Sequence, residues 1–313
     1  MAVQQVKTVV GGLVLRVTDT KESDKILTVL TAELGRISVI ARGARQKNSR
    51  LAAASQLFAW SEMTLYKRGE WYYLSAADPM ELFAGLQTDL VRLSLAAYLS
   101  ELTEFVAGED TPAPELLRLL LNGLYALAAL KKPPTAVKPA FTFRLLALAG
   151  FEPMADGCAV CGAETPEQPV LDVVQGVVHC RKCGHSGQDV PLSEAALAAL
   201  RHILQGSDKK LYAFSLPEDD LKLLDRAAEA FAAAQLERNF RRPRNSCCDT
   251  RSCTKRPRRW ICRNTKTAIR FPCSSNGIPG GGICPTAPTW RGSRAAGRCV
   301  CPWWRSTSPA TRP

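Results

Sequence analysis

Residues 12–51 read GLVLRVTDTKESDKILTVLTAELGRISVIARGARQKNSRL, and this stretch decides the fold of the first part of the chain. Its runs of Val, Ile, Leu and Thr favour a pleated, half-buried surface, and Gly35 supplies a turn between two of them. Two aromatic-rich runs follow, separated by Arg68 and Gly69. The predicted strands are Val6–Val17, Ile26–Thr31, Arg36–Arg42, Phe58–Lys67 and Trp71–Ala76. This series predicts a small β-barrel such as the OB-fold, although an SH3-like barrel has the same periodicity.

After Asp78 the apolar residues recur at helical spacing, beginning with Leu82 and Leu86. Prolines are expected to interrupt the helices, Pro139 among them, and Gly150 is expected to cap a helix end. The predicted helices include Glu115–Leu130, Phe141–Ala149, Leu197–Leu204 and Leu221–Phe240. We expect them to form one bundle, because neither the helices before the cysteine-bearing insert nor those after it would bury an apolar face alone. The predicted class is α+β: an N-terminal OB-fold β-barrel and an all-helical domain with an inserted four-cysteine zinc finger.

These changes in composition and hydrophobic periodicity predict five segments. They are a barrel (1–78), the first part of a helical domain (79–155), the zinc-finger insert (156–190), the second part of the helical domain (191–242) and an atypical tail (243–313).

Two Cys-x-x-Cys pairs, each followed by glycine, are the strongest chemical signal in the chain. The four residues are Cys158, Cys161, Cys180 and Cys183. Two thiolates at this spacing can grip one ion, and the 18 residues between the pairs suit a four-cysteine zinc site. Four cysteines leave no open coordination position, so we predict one structural Zn²⁺ ion; a redox dithiol, which needs only one pair, is the alternative. His179 and His185 are interpreted as surface neighbours of the site that could substitute as ligands. A small hairpin is predicted between the pairs, with its turn at Gln175-Gly176.

The stretch Gly35–Leu51 holds five cations and no acid in 17 residues. The cations are Arg36, Arg42, Arg45, Lys47 and Arg50. At the end of a barrel strand and in the loop that follows, they would form an electrostatic track for a phosphate backbone. A solvated loop that is basic by chance is the alternative. Four more cations could extend the same face: Lys7, Arg16, Lys67 and Arg68.

Aromatic residues lie on the later predicted strands, where barrels that bind single strands stack bases. They are Phe58, Trp60, Tyr66, Trp71, Tyr72 and Tyr73. Because strand alternation turns about half of them inward, a core position is the expectation for any single one.

The net charge of +12 does not by itself indicate nucleic-acid binding, because the excess lies in residues 243–313. That tail has 14 basic residues and one acid, Asp249, and it lacks Leu, Glu, Gln, Met, His and Tyr. Such a composition cannot readily build a core. We interpret the tail as translation of a shifted reading frame, because eight further cysteines and four Trp would be an aggregation liability. A basic arm that binds nucleic acid is the alternative.

Catalytic signatures are missing from the sequence: it has neither a phosphate-cradling loop nor a nucleophile elbow. His202 is interpreted as a helix-surface residue, and the acidic cluster Asp19, Glu22 and Asp24 as a polar turn. No signal peptide or membrane span is recognised, and the four cysteines before the tail suit a reducing compartment. We therefore expect a non-enzymatic protein of the cytoplasm.

The order of these features resembles the RecO family of bacterial recombination mediators. The matching motifs are G-x-V-L at Gly12–Leu15, an acidic pair before D-K-I at Glu22–Ile26, the turn at Thr31–Arg36, A-R-G-A-R to S-R-L at Ala41–Leu51, and a closing L-E-R-N-F-R at Leu236–Arg241. The cysteine pairs also fall where zinc-bearing members have theirs. The resemblance covers residues 1–242 and does not extend to the tail.

This resemblance implies binding to single- and double-stranded DNA and annealing of complementary strands. It also implies action with RecR, often with RecF, to load RecA onto DNA coated by single-strand binding protein (SSB), without nucleotide hydrolysis. By match to the family's basic loop, the five cations of Gly35–Leu51 are expected to contact DNA. Members receive the SSB C-terminal tail on the helical domain, and we expect a nucleoid-associated monomer. An RNA-binding or transcription-associated module with a barrel and a zinc ribbon is the alternative function.

Overall fold

A computed structural model describes residues 6–184 and 187–238. These residues all belong to one compact unit. Some sequence predictions fall outside them in whole or in part, among them the tail 243–313, the neighbour His185, the end of the motif at 236–241 and the last residues of the predicted helix Leu221–Phe240. Within the described ranges, no helix has the length and apolar character needed to cross a membrane.

The first five strands form a closed barrel. They are β1 (Lys7–Thr20), β2 (Asp24–Thr31), β3 (Gly35–Ala41), β4 (Trp60–Arg68) and β5 (Trp71–Glu81). Their order around the barrel is β1-β2-β3-β5-β4, with β3 and β5 parallel and the other pairs antiparallel. Strand periodicity alone did not distinguish the OB-fold from an SH3-like barrel, and this strand order confirms the OB-like prediction.

The last barrel strand is longer than predicted, because β5 continues past Ala76 to Glu81. Asp78 and Pro79 resemble a turn in sequence, yet they pair with Glu62 and Ser61 of β4. Irregular register on both sides lets the strand bend around the barrel and accommodate the proline. The predicted boundary at residue 78 therefore cuts through the final strand.

In the part of the chain that the structure describes, five α-helices and a small sheet follow the barrel. The helices are α1 (Leu90–Val106), α2 (Pro114–Ala128), α3 (Pro134–Leu148), α4 (Glu194–Gln205) and α5 (Glu218–Gln235). The insert between α3 and α4 carries β6 (Pro169–Asp172), β7 (Val177–Cys180) and β8 (Asp189–Pro191), in the order β7-β6-β8. The predicted hairpin is thus confirmed, with its turn across residues 173–176.

Two helix predictions were wrong. Pro139 lies inside α3 instead of ending a helix, because only the carbonyl of Thr135, in the exposed first turn, loses its helical donor. The rest of α3 is buried among the other helices, and this packing overrides the local propensity. The last helix, α5, ends at Gln235 and not at Phe240. Gly150 does follow a helix end in the left-handed region, as predicted.

The helices on the two sides of the insert share one core, which confirms the prediction of a single bundle. Phe143 of α3 stacks on Phe231 of α5 with ring centroids 5.9 Å apart. Beside this contact, the buried Lys138 of α3 forms ion pairs with Asp225 and Glu229 of α5. The two halves of the helical domain are therefore held together by both apolar and ionic contacts.

The barrel and the bundle are joined through a common core. Leu13, Leu15 and Leu30 of the barrel lie in the same apolar cluster as the helices, while a second cluster fills the barrel interior. Backbone hydrogen bonds reinforce the junction: Arg36 N donates to the Gly108 carbonyl (3.2 Å), and Ala113 N donates to the Ala32 carbonyl (3.0 Å).

Gly35→Ala is expected to destabilise this junction by at least about 2 kcal/mol. Gly35 has φ +63°, and an added Cβ would lie 1.9 Å from the Thr111 carbonyl oxygen. Gly69→Ala is the matched control, because Gly69 also has φ +63° but no atom within 4 Å of an added Cβ. Urea denaturation of both variants measures the difference; equal losses would mean that the backbone conformation alone, and not the junction, sets the effect.

Candidate nucleic-acid interface and metal centre

Three connections meet at one end of the barrel. The β1–β2 turn, the segment after β3 and the β4–β5 turn lie together, because Lys25 pairs with Ala41, Val39 with Tyr72, and Arg68 with Trp71. We call this the loop end. In OB-folds the connections between these strands flank the surface that takes oligonucleotides.

The basic segment after β3 is held in place by the β1–β2 turn. Asp24 accepts a hydrogen bond from Gly43 N (2.8 Å), and Arg45 N donates to the Ser23 carbonyl (2.9 Å). Ala44 is buried beneath the segment. Asp24 therefore acts within a polar turn, as the sequence indicated, and the anchored backbone turns four side chains into solvent: Arg42, Arg45, Lys47 and Arg50.

The fifth predicted cation, Arg36, lies at the opposite end of β3. Its guanidinium is 2.8 Å from a carboxylate oxygen of Glu109, which precedes α2, and its side chain is only 27% exposed. Arg16, another candidate, pairs with Glu104 of α1. The structure thus brings together four of the five cations and places Arg36 at the junction with the helices.

The basic stretch is free of acids only along the sequence. In three dimensions Asp19 approaches Arg45, with 3.6 Å between the carboxylate oxygen and Nε. This pair is largely exposed and weakly bound, so an incoming phosphate can compete with it. Lys7 and Lys67 extend the positive surface at the loop end. Lys7 pairs in register with Tyr66 near the end of β4, and Lys67 is the residue after Tyr66.

The register divides the aromatic residues into two groups. Phe58 is buried, and Trp60 and Tyr72 pack against the two apolar cores. Tyr66 and Tyr73 are directly opposite each other on neighbouring strands, and their half-buried rings belong to neither core. Trp71, at the start of β5, is 41% exposed. Sequence alternation alone could not make this division, because it does not fix which strands pair.

The four cysteines form one cluster in the structure. Their sulfur atoms all lie within 4.8 Å of one another, and the Sγ atoms of Cys161 and Cys180 are 3.8 Å apart. A tetrahedral zinc ion with bonds of about 2.3 Å requires sulfur–sulfur distances of about 3.8 Å. The donor set and its spacing therefore fit a divalent metal ion with four thiolate ligands. Such an arrangement is more than a single redox pair would need.

Backbone amides prepare Cys158 for the thiolate form. Cys161 N and Cys180 N point at its sulfur at 3.5 and 3.3 Å, and hydrogen bonds led by that of Cys161 lower the pKa of Cys158 to about 6. The hydrogen bond with the Cys161 side chain raises the pKa of Cys183 to about 12, and burial raises the pKa of Cys180. A cation among the sulfurs would reverse these upward shifts, because it favours the charged form of each ligand.

The insert is fastened to the bundle by side chains of α4 and α5. Arg201 Nε donates to the Ala155 carbonyl (2.6 Å), and its Nη2 donates to the Asp156 and Glu164 carbonyls, both at 2.8 Å. Gln235 donates to the Val173 carbonyl at 2.8 Å. These bonds fix the loops on either side of the first cysteine pair to the helical domain.

One histidine prediction was wrong. His179 is buried, not on the surface: its Nδ1 is 3.0 Å from the Cys180 carbonyl oxygen, and its Nε2 is 3.5 Å from an Asp189 carboxylate oxygen. It lies on β7, the edge strand of the small sheet, where Val170 of the neighbouring β6 opposes it. His202 is half-buried, and its Nε2 is 2.9 Å from the Lys210 carbonyl oxygen. Both side chains support local structure that sequence spacing does not reveal.

Comparison with known proteins identifies the family. The model for the N-terminal domain of recombination protein O matches residues 6–83, and the model for its C-terminal domain matches residues 87–244. The DNA repair protein RecO of Acetivibrio thermocellus is 31% identical over 74% of this chain and 92% of its own length. That of Symbiobacterium thermophilum is 32% identical over 74% and 93%, and that of Anaeromyxobacter dehalogenans is 36% identical over 62% and 78%. With both domain models matched and curated relatives covered almost end to end, the chain belongs to the RecO family of DNA repair proteins.

Proposed function

We propose that this protein is a non-catalytic recombination mediator of the cytoplasm, associated with the nucleoid. It binds single- and double-stranded DNA, anneals complementary strands and, with RecR, helps to load RecA onto SSB-coated single strands. The observation that carries the proposal is the anchored basic segment at the loop end of an OB-like barrel. The family membership supports the repair context.

The side chains proposed to contact DNA are the five cations of Gly35–Leu51. Four of them belong to the basic segment, and the fifth, Arg36, would first have to open its ion pair with Glu109. Arg42, Arg45, Lys47 and Arg50 project from a backbone tied down by Asp24 and Ser23. A fixed backbone with flexible cationic side chains suits phosphates in varied geometries, which single and double strands present. Neutralising phosphates releases condensed counterions, so binding should weaken steeply as salt rises.

We further propose that the ion held by the four cysteines is one Zn²⁺ with a structural role. The thiolate set favours zinc over magnesium or calcium, and a filled tetrahedron offers no position for a substrate. The contacts of the insert with Arg201 and Gln235 support this role, since they make the insert part of the helical domain.

The proposed partners are RecR, the SSB C-terminal tail and, indirectly, RecF and RecA, with the protein acting as a monomer. Retention of the full chain on immobilised RecR and on an SSB-tail peptide would support this assignment. Absence of both interactions would restrict the function to DNA binding alone.

Changing Arg42, Arg45 and Lys47 together to Glu is expected to lower the affinity for single-stranded DNA about 100-fold at physiological salt. The slope of log affinity against log salt concentration should also become shallower by about two to three, because fewer counterions are released. Fluorescence anisotropy with a labelled oligonucleotide at several salt concentrations measures both quantities.

The matched control changes Lys209, Lys210 and Lys222, all exposed on the helical domain, to Glu and so gives the same net charge. It should bind nearly as well as the wild type. Equal losses of DNA affinity in both triple variants would mean that the net charge alone causes the effect, and this would overturn the site assignment. Competition between matched RNA and DNA oligonucleotides completes the test, since stronger binding of RNA would favour the RNA-associated function.

A further inference from the structure

Tyr66, Tyr73 and Arg42 form a stacked column on the outside of the barrel at its loop end. The two tyrosine rings are 5.3 Å apart between centroids and 12° from parallel. The central guanidinium carbon of Arg42 lies 4.8 Å from the centroid of the Tyr73 ring. Because β3 and β4 flank β5 on opposite sides, Arg42 approaches Tyr73 from the side opposite Tyr66. The column therefore extends from β4 across β5 to the residue that follows β3.

The barrel does not need this column to fill its interior. Met63, Leu65 and Leu74 supply the inward-facing core of the same two strands and are almost fully buried. The tyrosine rings lie on the other face and contribute to neither apolar cluster. An opposed aromatic pair stabilises a hairpin by itself, but this does not account for the arginine stacked on its outer end.

Charge along the outer face of β4 and β5 is divided between its two ends. Towards the loop end, Lys7 pairs in register with Tyr66, and Arg42 continues the column. Towards the other end, Glu62 pairs with Asp78, and both are exposed. A polyanion on this face is thus attracted to the column and repelled by Glu62 and Asp78.

We propose that unpaired bases dock on this column and that it lets the protein distinguish single strands from duplexes; the inference rests on the proposed DNA-binding function. An unpaired base can continue the stack on the open face of the Arg42 guanidinium or beside the Tyr66 ring, as bases do on arginine and aromatic planes. In a duplex each base is already stacked between its neighbours, so only the phosphates remain for the basic segment.

Within this site Tyr73 is a positioning residue for Arg42. The ring holds the guanidinium against the barrel wall, which limits the freedom of an otherwise flexible, exposed side chain. A fixed guanidinium loses less conformational entropy when a base or a phosphate binds it.

The test is the double variant Tyr66→Val and Tyr73→Val, in which valine retains the β-strand preference. We expect the affinity for single-stranded DNA to fall at least about 10-fold, as for loss of one or more base–aromatic stacks. Affinity for duplex DNA should stay within about threefold, because Arg42 keeps its charge. The salt dependence should be unchanged, in contrast to the triple charge reversal, since stacking releases no counterions.

Two controls accompany this variant. Tyr125→Leu removes a half-exposed tyrosine of α2 on the helical domain and should leave both affinities unchanged. The double change of Tyr66 and Tyr73 to Phe keeps the rings and should retain single-strand binding. Equal loss for single and double strands, or loss for neither, would overturn the inference.

A measurement on the wild-type protein keeps the test valid if the valine variant does not fold. Irradiation with an oligonucleotide that contains 5-bromouracil should attach it to the peptide that spans 60–81. Attachment only to other peptides would overturn the inference while leaving the DNA-binding function intact. If the wild type bound neither single- nor double-stranded DNA, the proposed function and the inference would fail together.

Discussion

Cys180→Ala is expected to abolish metal binding and to unfold the insert while the barrel keeps its structure. Cys180 supplies one of four clustered sulfurs, and its backbone N–H also donates to the sulfur of Cys158 (3.3 Å). Three thiolates hold zinc far more weakly than four, and the free energy of metal binding in such small modules is largely folding free energy. Metal analysis of the purified protein should fall from about one ion per chain to below about 0.1.

The consequences should reach the helical domain but not the barrel. Leu171, Val173 and Val178 of the insert belong to the core of the bundle, whereas the barrel interior is a separate cluster. We expect a lower midpoint of thermal unfolding and faster proteolysis near residues 156–190, with hydrogen exchange in the barrel unchanged. Limited proteolysis and hydrogen–deuterium exchange measure these local effects.

Val160→Ser is the matched control, because Val160 lies between two ligands, is 63% exposed and offers only its backbone to Cys158. This variant should retain the ion. A Cys180→Ala protein that still held one ion per chain would show that the cysteines are not the ligands, and the predicted metal centre would be wrong.

Lys138→Met is expected to destabilise the helical domain by about 3–5 kcal/mol. The ammonium group lies 2.9 Å from Asp225 Oδ1 and 2.5 Å from Glu229 Oε1, and the side chain is only 8% exposed. The Tyr98 ring covers it, with 5.7 Å between Nζ and the ring centroid. Methionine fills a similar volume but leaves two carboxylates without their cation in a poorly hydrated site. Denaturation with urea, followed by circular dichroism, measures the loss.

Lys222→Met provides the matched control, because Lys222 also pairs with two acids, Glu218 and Asp219, but in an exposed position. Its denaturation midpoint should scarcely change, since solvent screens such pairs. Neutralising both partners of Lys138, through Asp225→Asn and Glu229→Gln, should restore much of the stability lost in Lys138→Met. Similar losses at Lys138 and Lys222 would mean that burial adds nothing to the ionic contact.

The features that were predictable from the sequence are those fixed by neighbours along the chain. Alternation predicted the barrel strands from Val6 to Ala76, and the spacing of the cysteine pairs predicted the cluster of four sulfur atoms. Local rules failed at Pro139 because the helix around it is stabilised by partners distant in sequence. Likewise His179 was predicted to lie on the surface, but it is buried, with its ring close to Asp189 of β8.

The binding surface was only partly predictable, because charge and stacking depend on strand register. The acid-free stretch indicated where the cations lie, but the acids that pair with Arg36 and Arg45 are separated from them in sequence. Of the aromatic residues, Tyr66 and Tyr73 became distinct from the others only once their strands were paired. A two-residue period specifies two faces of a strand without specifying which face is outside.

The core shared by the barrel and the bundle has a mechanical consequence. Leu13 and Leu30 pack among the helices, and the Ala32–Ala113 hydrogen bond links the two parts close by. The barrel and the helical domain are therefore expected to move together and not as two parts on a flexible linker. A nucleic acid at the loop end and a protein bound to the helices would be kept at a set distance and angle. The distance between the loop end and the helices would then determine how far from the nucleic acid the bound protein is held.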